Sequence, residues 1–201
     1  MSKTWINALN EQIMLSKYEN VNIREHLDDL TEEASKYDTI VELGRQNMCS
    51  TLALLLGKPK KFITVDVDEP SQRWFYRKDI AENYCEALGI EYEYRIADTL
   101  KMEPIKCEMM FIDTFHSYEQ LYRELNIYNN DVSNTIVMHD TVSFGQIDEP
   151  SSAIKTELLD KRFINKAGLA NALDDFLKEN SHWTKSRIET KNNGMSYIIR
   201  I

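Results

Sequence analysis

Two short stretches of this 201-residue chain hold the groups best suited to chemistry. The first is Phe111-Ile112-Asp113-Thr114-Phe115-His116. The second is Ile136-Val137-Met138-His139-Asp140-Thr141. Each is an apolar run that ends in carboxylate and imidazole. If both runs are buried neighbouring strands, their ends lie within a few ångströms of each other, and Asp113 can meet Asp140. Two carboxylates at close range cannot both stay charged cheaply without a cation between them. Oxygen donors favour magnesium, manganese or calcium, and an added imidazole moves the preference toward manganese or iron. Asp113, His139 and Asp140 are therefore candidate ligands. A divalent ion there would lower the pKa of a bound hydroxyl. His116, three residues beyond Asp113, has the ordinary pKa of a general base.

The elements that must position these groups follow from the spacing of apolar residues. From residue 38 onward, strands and helices alternate. Strands are expected at Thr39–Leu43, Phe62–Val67, Tyr92–Ala97, Met109–Ile112 and Thr135–Met138. Helices are expected at Ser50–Leu56, Ser71–Leu88 and Tyr118–Tyr128, with Gly57 and Gly89 ending the first two. Strands separated by helices pair in parallel through right-handed crossovers, so the fold class is α/β, a doubly wound and mostly parallel sheet. A helix around Leu169–Leu177 follows. Then Trp183–Glu189 and Met195–Ile201, joined by Lys191-Asn192-Asn193-Gly194, read as an antiparallel hairpin. Residues 1–37 read as helical, with Trp5, Leu9 and Ile13 and then Ile23, Leu27, Leu30 and Ala34 at helical steps. Asn22 and Glu25 resemble a capping box. These helices form an N-terminal extension packed on one domain, 1–201. Residues 141–166 lack periodicity and read as a lid or binding loop.

Ligands of such sheets lie at the carboxyl ends of the strands. The loop Glu42-Leu43-Gly44-Arg45-Gln46-Asn47-Met48-Cys49-Ser50-Thr51 joins the first strand to a helix. Gly44 permits a tight turn, and Glu42 would accept a cationic amine. Asp66, about 20 residues on, would accept ribose hydroxyls. Asp98 would accept from an adenine amino group. Gln46 and Cys49 occupy the second and third glycine slots of G-x-G-x-x-G, so a pyrophosphate has little room. A cofactor with an amino acid, a ribose and adenine but no phosphate fits better, and S-adenosylmethionine matches that description.

Composition narrows the partners. The formal net charge of −9 opposes phosphate backbones, so no nucleic acid is expected. No apolar run approaches the ~20 residues of a membrane span, and no membrane association is expected. The N-terminus lacks the apolar core of a secretory signal. Cys49, Cys85 and Cys107 stand at unrelated spacings, as reduced cysteines of a cytoplasmic protein do. The sequence leaves self-association into a homo-oligomer open.

Taken together, these residues resemble a class I S-adenosylmethionine-dependent methyltransferase. The resemblance is to the branch holding proteins called cephalosporin hydroxylases and metal-dependent sugar O-methyltransferases. It runs from Asn22-Ile23-Arg24-Glu25-His26-Leu27 to the C-terminus. It is carried by Ile40-Val41-Glu42-Leu43-Gly44 with Cys49-Ser50-Thr51, by Phe111 to Glu119, by Val137 to Thr141, and by the closing helix and hairpin. The resemblance implies cofactor contacts at Glu42, Gly44, Thr51, Asp66 and Asp98. It implies magnesium or manganese on Asp113 and Asp140, and His116 as base. It implies a small-molecule, sugar or glycan hydroxyl as methyl acceptor. Met48 stands where the family often has a second glycine, so crowding of the cofactor's methionine end is expected. His139 replaces a carboxylate of the metal-dependent members, which weakens the case for magnesium. A non-catalytic module with a closed cofactor loop and an iron oxygenase using Asp113, His116 and His139 are the rival readings.

Overall fold

Both faces of a seven-stranded sheet carry helices, because every central strand is apolar on both sides. A computed structural model of the chain describes residues 2–19, 21–150 and 160–201. The elements run α1 (Ser2–Ser16), α2 (Leu27–Ala34), β1 (Thr39–Leu43), α3 (Cys49–Leu56), β2 (Lys61–Asp66), α4 (Phe75–Leu88) and β3 (Glu91–Ile96). They continue with β4 (Cys107–Ile112), α5 (Tyr118–Tyr128), β5 (Val132–His139), α6 (Leu169–Glu179), β6 (Trp183–Glu189) and β7 (Met195–Arg200). The strand order is β3-β2-β1-β4-β5-β7-β6. The first five strands are parallel, and β7 inserts antiparallel between β5 and β6. The expected α/β class and the closing hairpin are both present.

Alternation along the strands sorts the core into two layers. Ile40, Phe62, Met109, Phe111 and Val137 face α1 to α4. Val41, Ile63, Met110, Ile136 and Met138 face α5 and α6. The order reverses beside β1, whose neighbours are β2 and β4. Such a switch point opens a crevice at the carboxyl ends of the strands.

Two local expectations need correction. Asn22 and Glu25 make no capping box. The chain turns there in a 3₁₀ segment, Arg24–His26, with Ile23 at the cap position and no side-chain cap. The carbonyl of Asn22 instead receives the Asn192 amide across the molecule. The helix expected from Ser71 starts with a 3₁₀ turn at Gln72–Trp74 and becomes α-helical only at Phe75. In the expected lid, residues 151–159 lie outside the described residues, while Lys161–Phe163 forms a 3₁₀ turn. No helix among the described residues is long and apolar enough to cross a membrane.

Candidate active site

A crevice of about 460 Å³ opens over the strand ends, lined by Gly44, Asp66, Asp98, Asp113, His116 and Asp140 among others. That volume lies in the usual range for small-ligand sites, roughly 300–1,000 Å³. Four of the expected acidic tips thus share one rim.

The loop from Gly44 to Ser50 enters from β1. Gly44 has φ 83°, and a Cβ built on it would sit 2.0 Å from the Asp113 carbonyl oxygen. Glycine is therefore required by the approach of this turn to the end of β4, in addition to any ligand. Asp66 Oδ2 accepts from the backbone amides of Arg45 and Gln46 at 2.9 and 3.1 Å. It braces the loop and still lines the crevice. Asp98 also lines it, and pairs with Lys101 at 2.8 Å while accepting from the Leu100 amide. Lys101 leads the causes that hold its carboxyl below the usual range, ahead of the opposing effect of burial.

Glu42 and Thr51, expected in the crevice, lie beneath it. Glu42 shares the Ile40 face of β1, under α3, and is fully buried. Its carboxyl accepts from Ser50, Thr51 and Thr64 hydroxyls at 2.6–2.7 Å. Burial raises its pKa to about 7, against the pull of those three hydroxyls. The carboxyl is not presented to a ligand amine; Ser50, which does line the crevice, links the two. Met48 is corrected in the opposite direction. It takes a left-handed backbone, φ 63°, and its side chain is buried in the helical core layer. It does not line the crevice and does not crowd it.

The two apolar runs form β4 and β5, side by side, with Ile112 opposite Met138. Asp140 follows in left-handed backbone, φ 58°. His116 Nε2 lies 2.9 Å from Asp140 Oδ2 and 3.3 Å from Asp113 Oδ1. His139 Nδ1 lies 3.2 Å from Asp140 and 3.4 Å from Asp113. Burial alone would lower both imidazole pKa values, but the two carboxylates push each up to about 10. Burial would raise the two carboxyls, yet the histidines hold both below the usual range.

Asp113, His139 and Asp140 offer donor atoms within 4.8 Å of one another. Nε2 of His139 and Oδ1 of Asp140 are buried without a hydrogen-bond partner, while Nδ1 of His139 has only its ion-pair contacts to Asp113 and Asp140. A buried, unsatisfied nitrogen and oxygen beside a second carboxylate is a donor set that fits a divalent cation.

Four contributors were not among the residues expected at the site. Phe144 stacks on His116 with ring centroids 4.8 Å apart. Glu149 Oε2 takes the His116 Nδ1 proton contact at 2.9 Å. Both come from the unpatterned segment after β5. Arg45 lines the crevice but turns its guanidinium onto the Arg95 and Asp68 carbonyls and the Tyr94 ring. Glu124 accepts from Thr99, Thr114 and Gln120, all three lining the crevice. Its position on the apolar stripe of α5, between Leu121 and Leu125, was a usable signal.

No protein-family model and no curated protein sequence matches the chain. Solved structures do match in fold. The O-methyltransferase from Bacillus cereus, solved with S-adenosylhomocysteine, aligns with TM-score 0.58 at 13% identity, over 98% of this chain and 91% of that one. The Podospora anserina methyltransferase PaMTH1, also bound to S-adenosylhomocysteine, gives TM-score 0.59 at 15% identity, over 96% and 88%. The O-methyltransferase TomG from Streptomyces achromogenes, in complex with S-adenosylmethionine, gives 0.53 at 14%, over 88% and 80%. The chain has the Rossmann-like fold of these methyltransferases.

Proposed function

We propose that this protein is an S-adenosylmethionine-dependent O-methyltransferase acting on a hydroxyl of a small molecule, with a sugar or glycan as the acceptor class. The observation that carries this reading is one crevice at the switch point, lined together by Gly44, Asp66, Asp98, Asp113, His116 and Asp140. The fold neighbours solved with this cofactor or its product support the same reading.

Bound S-adenosylmethionine would supply an electrophilic methyl group, with sulfur as the leaving atom. Asp66 and Asp98 would hold the ribose and adenine, and the turn at Gly44 to Asn47 the methionine end. Glu42 and Thr51 would act from beneath, keeping that turn in shape through Ser50. Asp113, His139 and Asp140 would hold a divalent ion, manganese or magnesium, whose charge orients the acceptor hydroxyl and lowers its pKa. His116 would take the hydroxyl proton on Nε2, since Nδ1 is engaged by Glu149. Neutralising charge at Asp113 and Asp140 removes what holds a proton on Nε2, so the base function and the cation belong together. Phe144, stacked on the ring, keeps His116 from turning away. The main catalytic contribution would be alignment.

The rival reading of a loop closed to cofactor loses its motive, because Met48 packs into the core. The test is calorimetric titration with S-adenosylhomocysteine. Binding at micromolar concentration is expected, and Asp66→Ala should weaken it about tenfold, roughly 1.4 kcal/mol. No heat at about 1 mM ligand, near −4 kcal/mol of binding free energy, would overturn the proposal.

A further inference from the structure

Arg77 on α4 is fully buried, yet it touches nothing at the strand ends. Its guanidinium reaches in two directions. Nη1 donates to the Asn47 carbonyl at 2.8 Å and to Cys49 Sγ at 3.0 Å. Nη2 donates to both Glu19 oxygens at 2.7–2.8 Å and to Ser16 Oγ at 3.2 Å. One side chain therefore ties the end of α1 to the cofactor loop.

The Asn47 carbonyl sits at the most strained point of that loop. Gln46 has φ 36° and Met48 φ 63°, both in the left-handed region without being glycine. Such backbone is disfavoured for residues other than glycine and persists only where surrounding groups impose it. Asp66 fixes the amide before the turn. Arg77 fixes the carbonyl inside it. Gln46 and Asn47 both line the crevice, and so do Asn22 and Ile23 from the stretch just beyond Glu19.

We propose that Arg77 is a positioning residue for the cofactor: paired with Glu19, it holds the Gln46-Asn47-Met48 turn in its receptive shape and so couples cofactor binding to the docking of the α1 end. The inference rests on the cofactor assignment above. A guanidinium this buried needs its counter-charge, because one partner removed leaves an uncompensated ion. Without Glu19, Arg77 gains more by turning toward water than by staying on Asn47, and the turn loses its clamp. Coupling of this kind is reciprocal, so cofactor in the crevice should also tighten the α1 end.

The experiment compares wild type, Glu19→Gln, Glu19→Asp and Arg77→Lys. Affinity for S-adenosylhomocysteine is measured by calorimetry at a temperature where near-ultraviolet circular dichroism shows all four folded. Amide exchange over residues 45–49 and 16–19 is followed with and without ligand. Glu19→Gln and Arg77→Lys should each weaken affinity about 5–20-fold. A lysine ammonium lacks the fork that reaches Asn47 and Glu19 together. Both variants should speed exchange over 45–49 in the free protein. Glu19→Asp should recover part of the affinity. Ligand should slow exchange over 16–19 in wild type only. Unchanged affinity in Glu19→Gln, with only a lower melting temperature, assigns Arg77 a purely structural role and overturns the inference. Glu19→Gln alone decides if Arg77→Lys does not fold. No binding by wild type overturns the cofactor assignment, and this inference with it.

Discussion

Glu42 shows how a single side chain changes role once its neighbours are known. It stands one residue before the end of β1, where a rim carboxylate was expected, but points into the core among three hydroxyls. Its carboxyl pKa is raised to about 7, and that of Glu124, also fully buried, to about 7. Burial is the main cause in each. A carboxyl raised in this way favours folding while it is protonated. Its contribution is intact below the ordinary pKa of 4.5 and is lost as pH climbs through 7. Glu42→Gln should therefore flatten the loss of stability between pH 4.5 and 7. At pH 8 it should be more stable than wild type, by up to about 3 kcal/mol. Urea unfolding at pH 5 and pH 8 reads the difference; an unchanged pH profile would count against a buried proton on Glu42. At the ends of β4 and β5, Asp113, His139 and Asp140 offer donor atoms within 4.8 Å of one another, a set that fits a cation. Manganese at about 1 mM should raise the melting temperature of wild type and not of Asp140→Asn, because only ligands to the folded state stabilise it.

At the scale of elements, close approach decides more than propensity. Gly44 and Gly89 both have positive φ, 83° and 71°. A Cβ at Gly89 would meet nothing within 4 Å, whereas one at Gly44 would strike the backbone after β4. Gly89→Ala should cost about 1 kcal/mol, the conformational penalty alone. Gly44→Ala must also push β1's turn from β4 and should cost at least about 3 kcal/mol. Thermal melts of the two variants separate these outcomes, with about 2–4 °C expected per kcal/mol in a chain of this length. Equal melting temperatures would mean that the turn can slide past Asp113. The helices follow the same logic. Glu124 on α5 and Arg77 on α4 both stand on faces that are otherwise apolar. Each depends on groups from other elements: Glu124 on Thr99 and Thr114, Arg77 on Asn47 and Glu19.

Over the whole molecule, the sheet order sets where chemistry can occur. Five parallel strands end on one rim, and the reversal beside β1 leaves the crevice open there. Because the loop, the strand ends and the Asn22-Ile23 stretch all line that crevice, ligand binding should stabilise the entire fold. At about 100 times its dissociation constant, S-adenosylhomocysteine should add about 2.7 kcal/mol. That corresponds to a rise of roughly 5–10 °C in melting temperature. Binding without any rise would mean that the crevice is independent of global unfolding.

The alternation of apolar runs and helical spacings determined by itself the strands, the helices, the parallel class and the hairpin, since those patterns repeat within a few residues of chain. The same local reading put Asp66, Asp98, Asp113, His116, His139 and Asp140 at strand ends, where a parallel sheet must gather them. Only the tertiary structure decided which way Glu42 and Met48 point, because both faces of the sheet are covered and either layer could receive a side chain. It alone joined Arg77 to Asn47 and Glu19, and Phe144 and Glu149 to His116. Those partners lie tens of residues away in sequence, and packing, which local spacing does not encode, brings them together.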